Sequence, residues 1–399
     1  MQDLYLFNPD NEISVANGTN GYTPKANITL MADNLAFLMA YLAGEGDYVL
    51  VPRLPKADFL EERREVFGLT SKPILWEKAC LQSFRAIKPW GWSPRMHNLF
   101  GELKSRCAEL FRQSVMAEWS NERRELYSRL RAAECLEFIC RQLPGIEAEI
   151  VPRVCRSLSA IREIADGEDV VVKAPWSSSG KGILFVPRGV LMKKEGEILS
   201  GILHKQEYVM VEKRLDRVID FAMEFEMDAD FRLRYLGLSV FKTSKRGEYE
   251  GNIVTSEDAL REKITAYVSG EMLDRVRDVL MEALLDRYRG KYTGFLGVDM
   301  MIYRDGVGQY KIQPCVEINL RYNMGIVALQ LQRHLAESAE GHFRVRFSAK
   351  PGDISSSVEE QRQMFPLERH DGAIVSGYIH LTPVDENSRF VAELQVEKK

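Results

Sequence analysis

Apolar and polar residues follow one another along the chain with spacings that predict both strands and helices. Residues 4–7 (LYLF) form a short apolar run typical of a buried strand, which ends in a polar loop rich in Asn, Asp and Gly. From Ile28 to Leu42 apolar residues recur at helical spacing, and residues 47–52 (DYVLVP) predict a second strand. The chain therefore begins with a predicted βαβ unit, in which ligands gather at the carboxyl ends of the strands. Because the loop has no G-x-G-x-x-G motif, we do not expect a dinucleotide site there.

The remaining pattern is helical first and then rich in strands. The segment from Ser93 to Gln142 is rich in charged residues and predicts long helices, and a further helix is predicted from Leu273 to Tyr288. The last fifty residues look like an appended cap or edge. Strands are predicted for the segments VVVKAPW, EYVMVEKRL, FAMEFEM, FRLRYLGLSVF, GFLGVDMMIY and KIQPCVEINL.

Composition narrows the functional classes. The chain of 399 residues is 45% apolar, which is enough to fill the cores of two or three domains. Its 54 basic and 58 acidic residues leave a net charge of −4, so nonspecific attraction to nucleic acid or anionic lipid is not expected. No stretch approaches the ~20 apolar residues that span a bilayer, and the start lacks the features of a secretory signal. We therefore predict a cytoplasmic protein with no membrane partner. The six cysteines form no C-x-x-C motif, so we predict that they are buried thiols.

A lysine-bearing loop follows the strand VVVK. Residues 173–182 (KAPWSSSGKG) place Lys173 at the end of an apolar strand and Lys181 in a small, glycine- and hydroxyl-rich loop. Such a loop suits polyphosphate, because glycines let backbone N–H groups approach the oxygens and lysines supply positive charge. It is not a Walker A loop, which would need Gly in place of Pro175 and Ser or Thr in place of Gly182. Alone, the segment is equally consistent with a surface turn.

A second set of polar residues lies on two predicted neighbouring strands. Glu317, Asn319 and Arg321 alternate along one strand, so they share a face, and Asp299 would stand on the other strand of the hairpin. Two carboxylates and an amide oxygen form a site for a hard cation such as Mg²⁺, which also takes substrate phosphates. A surface Arg–Glu pair is the alternative, but the carboxylate lies within an apolar strand, where it is costly without a partner.

Between these two motifs, an apolar strand (YVMV) runs directly into Glu212, Lys213, Arg214 and Leu215. Such a strand end can present backbone donors and acceptors to an adenine edge while the apolar residues wall the ring. Any edge strand that ends in charge would look similar.

The order of these motifs resembles the ATP-grasp superfamily of ATP-dependent carboxylate–amine ligases and related enzymes. The likeness covers residues 128–330, and the βαβ unit resembles the domain that precedes the ATP-grasp fold. The resemblance implies a chain of class α/β and α+β, with an N-terminal βαβ pre-ATP-grasp domain followed by a two-lobed ATP-grasp fold. It implies four parts: a substrate-side domain (1–115), a small lobe (116–210), a large lobe with the metal site (211–345) and a C-terminal extension (346–399).

The resemblance also implies roles for individual residues. Arg321 and Lys181 would act on the transferring phosphoryl group, and Glu212 and the backbone of Leu215 would contact the adenine. Asp299, Glu317 and Asn319 would hold Mg²⁺, with two ions expected and Mn²⁺ as an alternative ion. The implied nucleotide-binding residues are Lys173, Ser177, Ser178, Ser179, Gly180, Glu212, Lys213, Leu215 and Arg129.

Arg129 departs from the superfamily pattern. Many members have a lysine at the entry of the smaller lobe, and Arg129 is the nearest counterpart here. Arginine keeps the positive charge and adds a fork for phosphate oxygens. A residue on the helix surface is the alternative interpretation.

Substrate contacts are predicted in two regions. Asn11 lies in the loop after the first strand, and Asn252 ends a hairpin-like region. Arg232 and Arg234 alternate in a strand, as two carboxylate-binding residues should, although strand arginines facing solvent do the same. We expect small-molecule carboxylate and amine substrates, no nucleic acid, and a homodimer as one possible assembly.

Three functions agree with this pattern. The first is an ATP- and Mg²⁺-dependent ligase that activates a carboxylate as an acyl phosphate for attack by an amine. The second is a small-molecule kinase on the same scaffold, and the third is a nonenzymatic ATP-binding regulatory protein. A complete metal set favours an enzyme over a regulator, and the scattered histidines support neither a Ser-His-Asp triad nor a zinc site.

Overall fold

The N-terminal sheet is parallel. In the computed structural model, which describes residues 1–177, 182–244 and 248–398, the strands of this sheet are ordered β3-β2-β1-β4, and the three pairings are parallel. The predicted βαβ unit is therefore present. Its strands are β1 (Leu4–Leu6), β2 (Tyr48–Leu50), β3 (Lys72–Ile74) and β4 (Ile87–Pro89).

The connection from β1 to β2 differs from its prediction. The segment predicted as a polar loop contains a helix, α1 (Asn11–Asn17), which ends at Gly18 in the left-handed conformation. The predicted helix from Ile28 to Leu42 is instead α2 (Ala26–Leu35) followed by a 3-10 helix (Ala36–Tyr41). A helix as short as α1 depends on tertiary packing, and its Val15 is buried in a small apolar cluster.

Besides β3 and β4, residues 57–142 form helices, the longest of which, α9 (Arg129–Gln142), packs against β13 (Tyr310–Asn319) and α13 (Gly270–Tyr288). The predicted helical stretch from Ser93 to Gln142 is divided among several helices because its apolar residues are buried at different places in one core. Only one of these, α9, has 14 residues within the part of the chain that the structure describes. The helices of residues 57–142 are α3 (Ala57–Phe67), α4 (Trp76–Ala79), α5 (Pro94–Leu99), α6 (Gly101–Lys104), α7 (Glu109–Arg112), α8 (Asn121–Leu126) and α9 (Arg129–Gln142).

A middle sheet with strand order β5-β8-β6-β7 is antiparallel. Its valines at 170, 172, 209 and 211 form a small core with α10 and α11 on one face. The strands are β5 (Arg153–Cys155), β6 (Val170–Lys173), β7 (Ile183–Val186) and β8 (Val209–Lys213). The helices are α10 (Leu158–Ile164), α11 (Lys193–Gln206) and 3-10 turns at Ala148–Ile150 and Pro187–Gly189.

The large sheet is antiparallel, in the order β13-β12-β9-β10-β11-β14-β17-β16-β15 among the described residues. Its strands are β9 (Asp216–Met227), β10 (Leu233–Thr243), β11 (Tyr249–Val254), β12 (Gly294–Arg304), β13 (Tyr310–Asn319), β14 (Ala339–Phe347), β15 (Glu368–His370), β16 (Ala373–His380) and β17 (Phe390–Lys398). The helices of this region are α12 (Glu257–Thr265), α13 (Gly270–Tyr288), α14 (Met324–Gln332) and α15 (Asp353–Met364).

Alternation along β9 separates the core from the site. Phe221, Met223 and Phe225 are fully buried in a core shared with α9 and α13. The intervening residues, Ala222 and Glu224, face the opposite way, as the period of two requires, and line a cavity. The inner face of this sheet therefore belongs to the core, and the outer face carries the residues that line the cavity beside α14.

The last three strands extend the large sheet on one side. β17 pairs with β14, β16 pairs with β17, and β15 forms the edge. This side of the sheet packs against the start of the chain, where Arg63 is fully buried and donates to the backbone oxygen of His380. The predicted boundaries at residues 115, 210 and 345 remain predictions. No helix in the described segments is both long enough and apolar enough to cross a membrane.

Candidate functional site

The predicted metal ligands meet on a two-stranded unit. In the antiparallel pairing of β12 with β13, Asp299 lies opposite Glu317, and Gly297 lies opposite Asn319. Arg321 follows the end of β13, donates to Asn319 Oδ1 at 3.0 Å and pairs with Glu12 of α1. The structure thus brings together four of the five residues predicted for the metal and phosphoryl chemistry; the fifth, Lys181, lies outside the described residues.

Electrostatics at this hairpin favour a cation. Burial and the neighbouring carboxylates of Glu317 and Glu224 raise the pKa of Asp299 well above its usual range. Burial lowers the pKa of Arg321 to about 10, so this guanidinium stays charged at neutral pH. Two carboxylates and an amide oxygen are ligands that Mg²⁺ accepts, and a cation would relieve the repulsion around Asp299. Within the described residues, no group of three or more His, Cys, Asp and Glu side chains is arranged to hold a metal, so a site here needs the amide oxygen or substrate oxygens.

Lys173 ends β6 and forms an ion pair with Glu212 of β8. Lys173 Nζ lies 2.5 Å from Glu212 Oε1, and both side chains are largely buried. The residues predicted for the phosphates and for the adenine are therefore neighbours. Lys213, at the end of β8, is exposed, and Leu215 is half-buried against the main core.

Arg129 joins the two halves of the site. It is the first residue of α9 and is buried, not on the helix surface. Its guanidinium donates to the backbone oxygen of Ala174 at 2.7 Å, to Ser177 Oγ at 2.5 Å and to Glu317 Oε1 at 2.8 Å. One side chain thus ties the loop that follows Lys173 to the metal-site carboxylate.

Four predicted nucleotide-loop residues, Ser178, Ser179, Gly180 and Lys181, lie outside the described residues. Ser177, just before them, is described and contacts Arg129. It also lines a small pocket with Glu317, Asn319 and Arg321. The beginning of this loop therefore lies beside the metal-site hairpin.

A cavity of about 520 Å³ opens over the outer face of the large sheet. Its polar lining contains Asp299, Glu317, Asn319 and Arg321, and Arg129 stands at its side. A volume of this size suits a small-molecule substrate. The cavity also has an apolar lining, to which the following residues belong: Phe7, Trp90, Ile28, Met31, Phe241, Tyr249, Val345, Phe347 and Phe390.

Two predicted substrate residues lie at or beside the cavity. Asn252 is buried, lines the cavity and accepts a 2.5 Å hydrogen bond from the Tyr249 hydroxyl. Asn11 is buried and lines the small pocket next to Arg321. In the amide orientation that satisfies its hydrogen bonds, Asn11 donates to the backbone oxygens of Gly91 and Trp92 at 2.8 and 3.0 Å. Its donors thus hold α1 against the N-terminal sheet.

The structure does not bring Arg232 and Arg234 to the cavity. Arg232 precedes β10, and its side chain is 75% exposed beside Asp230. Arg234 lies on β10 opposite Glu226 of β9 and pairs with that carboxylate at the surface. The two arginines do not share a strand face, because the strand begins at Leu233, and a local acidic partner engages each of them.

Sequence reasoning missed the buried carboxylate of Glu224. It lines the cavity and accepts hydrogen bonds from Ser239 Oγ at 2.9 Å and from Asn323 Nδ2 at 2.8 Å. The segment FAMEFEM carried a signal, because alternation separates its Phe and Met residues from Glu224. Glu12, the ion-pair partner of Arg321, was missed as well, because it lies in the segment predicted as a loop.

Comparisons with known proteins agree with this architecture. No protein-family model and no curated protein matches the chain by sequence. Among solved structures, a biotin carboxylase–β,γ-ATP complex from Campylobacter jejuni is similar over 100% of this chain and 88% of its own, with 11% identity and a TM-score of 0.53. N5-carboxyaminoimidazole synthetase from Staphylococcus aureus is similar over 100% and 93%, with 11% identity and a TM-score of 0.50.

An L-amino acid ligase from Bacillus licheniformis is similar over 99% of this chain and 93% of its own, with 11% identity and a TM-score of 0.50. At these identities the likeness concerns the fold. It extends over the whole length of the chain, including the parallel N-terminal sheet and the large antiparallel sheet. The chain has the fold of the ATP-grasp superfamily.

Proposed function

We propose that this protein is an ATP- and Mg²⁺-dependent ligase that joins a carboxylate to an amine. A carboxylate oxygen attacks the γ-phosphorus of ATP, and ADP leaves. The amine nitrogen then attacks the carbonyl carbon of the acyl phosphate, phosphate leaves and the nitrogen loses a proton. This chemistry requires charge neutralisation, alignment and exclusion of water more than a protein nucleophile.

The observation that carries the proposal is the position of Arg129. Its contacts with Ala174, Ser177 and Glu317 connect the loop after Lys173 with the metal-site hairpin. A triphosphate that contacts Lys173 would therefore extend toward Asp299 and Glu317. The cavity beside the hairpin supplies room for an acceptor.

Each residue has a distinct part in this proposal. Asp299, Glu317 and Asn319 would hold Mg²⁺, which neutralises charge on the phosphate oxygens when it is bound. Lys173 would contact the phosphates, and Arg321, held by Glu12 and Asn319, would orient a carboxylate or its phosphate ester. The similar L-amino acid ligase and carboxylase structures support a ligase on this scaffold.

The test is a product assay on the purified full chain. The protein is incubated with ATP, Mg²⁺ and pools of carboxylates and amines, and ADP, free phosphate and phosphorylated acceptor are measured separately. We expect free phosphate to appear with ADP only when both a carboxylate and an amine are present. A phosphorylated acceptor would instead favour a kinase, and ATP binding without turnover in any pool would favour a regulator.

Glu317→Gln is expected to lower Mg²⁺-dependent turnover at least about 100-fold, because it removes a ligand charge with little change in volume. Glu226→Gln is the matched control, since that carboxylate pairs with Arg234 at the surface. Turnover and melting temperature are measured for both variants. A folded Glu317→Gln protein with the turnover of the control would refute the metal site.

A further inference from the structure

A second cavity lies where the start of the chain meets its end. Its volume is about 760 Å³, and none of the described residues that were predicted for ATP, metal or substrate lines it. The walls come from the end of α2, the segment after β2, α3, α15 and the segment after β16. We call this space the junction cavity. It is separate from the cavity over the large sheet, which has a different lining.

The floor of the junction cavity is apolar. The rings of Phe37 and Phe59 lie 5.2 Å apart between centroids, and the ring of Phe59 lies 5.6 Å from that of His380. Val51 and Val358 also line the cavity. Because Phe37, Phe59 and His380 are successive neighbours, one small molecule can contact all three. The floor favours a hydrocarbon or aromatic group in a ligand.

Two guanidinium groups at this cavity share one carboxylate. Glu62 accepts hydrogen bonds from Arg63 at 2.7 Å and from Arg362 at 3.0 and 3.1 Å. Burial opposes ionisation of Glu62, but the hydrogen bonds from Arg362 and Arg63 hold its pKa below the usual value. Among the described residues, no second carboxylate forms an ion pair with either arginine. The three side chains therefore carry one uncompensated positive charge.

His380 lies beside these charges and lines the cavity. Its side chain is 9% exposed, and its ring makes no hydrogen bond with the described residues. Of the two ring nitrogens only Nδ1 is fully enclosed, so Nε2 is the one that borders the cavity. Burial and the guanidiniums of Arg63 and Arg362 lower the pKa of His380, so the imidazole is neutral at pH 7. A neutral imidazole can present Nε2–H to an acceptor.

Asn34 adds a second free donor. It is buried and lines the cavity, and its Oδ1 accepts from the backbone N–H groups of Arg389 and Phe390 at 2.8 and 3.1 Å. These two contacts fix the amide orientation, and its nitrogen has no partner in the described part of the chain. Arg362 uses two of its five N–H groups on Glu62. The polar wall thus offers donors and favours a ligand with acceptor oxygens.

The mouth of the junction cavity has the opposite charge. Arg53 and Asp385 pair there at 2.9 Å, so they contribute no net charge. The other charges at the mouth are exposed, and salt screens such charges beyond about 8 Å. The excess charge beside the buried Arg63 is screened less, so the interior attracts an anion while the mouth disfavours a polyanion. The exposed residues are Asp33, Asp58, Glu359 and Lys56.

We propose that the junction cavity binds a carboxylate monoanion with an aromatic or branched apolar body. Arg362 and His380 Nε2 donate to the carboxylate, and Phe37 and Phe59 contact the apolar body. The inference goes beyond the proposed ligase function, because neither ATP nor Mg²⁺ takes part in this binding.

The test uses titration calorimetry on the full chain, without ATP, with three probes. Phenylacetate carries the carboxylate and an aromatic body, phenylacetamide lacks the charge, and acetate lacks the aromatic body. We expect phenylacetate to bind at least about 10-fold more tightly than either of the others, because each of them loses one kind of contact. Equal affinity for phenylacetate and phenylacetamide, or no binding of phenylacetate, would overturn the proposal.

Variants assign the binding to residues. Arg362→Gln removes the excess charge but leaves Glu62 paired with Arg63, so the fold should persist. It is expected to weaken phenylacetate about 10-fold. Arg369→Gln is the matched control, because Arg369 also pairs with a carboxylate of α3, Glu65, but does not line the cavity. Melting temperature and affinity are measured for both. Unchanged affinity in a folded Arg362→Gln protein would overturn the proposal.

Arg321→Gln distinguishes the two cavities, because Arg321 lines the one over the large sheet. We expect this variant to bind phenylacetate as the wild type does. Binding that is lost in Arg321→Gln and kept in Arg362→Gln would place the probe in the other cavity and overturn the proposal. Binding that depends on Arg362, in a protein without turnover in any pool, would remove the ligase function and leave this site intact.

Discussion

At the residue scale, the number of contacts that hold a charged side chain determines how easily it can turn toward a ligand. Arg129 and Arg321 hold their guanidiniums in place through carboxylates and backbone oxygens. Lys173 is held by Glu212 alone among its described ion partners. A single-contact lysine is easier to redirect toward a phosphate than a forked arginine with several hydrogen bonds.

Lys173→Met is expected to weaken ATP binding and to lower stability by about 3 kcal/mol, because it leaves the Glu212 carboxylate largely buried without a partner. The double variant Lys173→Met/Glu212→Gln separates the two effects, since it removes both charges. We expect the double variant to regain most of the stability and none of the ATP affinity. Denaturant titration measures the stability, and calorimetry with ATP measures the affinity. ATP affinity at the wild-type level in the single variant would contradict a phosphate contact.

At the element scale, the start of α14 links the helix to the cavity. Asn323 caps this helix by accepting from the backbone N–H of Ile326, and its amide nitrogen donates to Glu224. The same residue thus begins the helix and orients the cavity carboxylate. A change at the start of α14 should therefore reach the cavity.

Gly325→Ala is expected to destabilise the protein, although alanine normally favours a helix by up to about 1 kcal/mol. The added Cβ would overlap Glu224 Oε1 and approach Ser239 Oγ, and both partners are buried. Gly201→Ala is the matched control in α11, where nothing lies within 4 Å of the new Cβ, and it should stabilise. Denaturant unfolding of both variants decides the sign. Equal stabilisation by the two substitutions would contradict the packing described for Glu224.

At the scale of the whole molecule, the first and last parts of the chain share a core. Tyr41 donates to the backbone oxygen of Leu381 at 3.0 Å, and Arg63 contacts the backbone of His380. Arg362 of α15 forms two hydrogen bonds with Glu62 of α3. Apolar residues of β1, β2 and α14 belong to the same cluster as those of β16 and β17.

His380 gives this junction a pH dependence. Burial, with the nearby charges of Arg63 and Arg362, lowers the pKa of His380 to about 3, and Glu62 only partly opposes this. The unfolded chain binds the proton near pH 6.5 while the folded chain does not, so stability is lost as the pH falls from 6.5 toward 3. His380→Phe keeps an aromatic ring against Phe59 and should reduce this loss. Urea titrations from pH 7 to pH 4 measure it, and identical pH dependence in both proteins would contradict the expectation.

Sequence patterns predicted the parts of the fold that depend on local alternation. The βαβ start and the hairpin of β12 and β13 were predicted from apolar runs and, for β13, from the polar residues Glu317 and Asn319 spaced by two. The segment from Ser93 to Gln142 was harder to predict, because helix ends there depend on which surfaces each apolar residue meets. Helix α1 was missed because its stability comes from contacts distant in sequence.

Site residues show the same division. The shared face of Glu317 and Asn319 could be predicted, because the strand period is fixed. The placement of Arg232 and Arg234 could not, because it depends on where β10 begins and on an acidic neighbour across the strand. The burial of Glu224 could not be predicted, because it depends on the packing of the start of α14 against the outer face of β9.

The fully buried Arg63 has a consequence for biosynthesis. Its backbone acceptor at residue 380 leaves the ribosome more than three hundred residues later, so the guanidinium cannot form this contact until β16 has been synthesised. The N-terminal sheet therefore cannot reach its final packing before β16 and β17 emerge, and apolar residues of its cluster lack these partners until then. A ribosome-bound nascent chain stopped before the last strands should be a better chaperone client than the released protein.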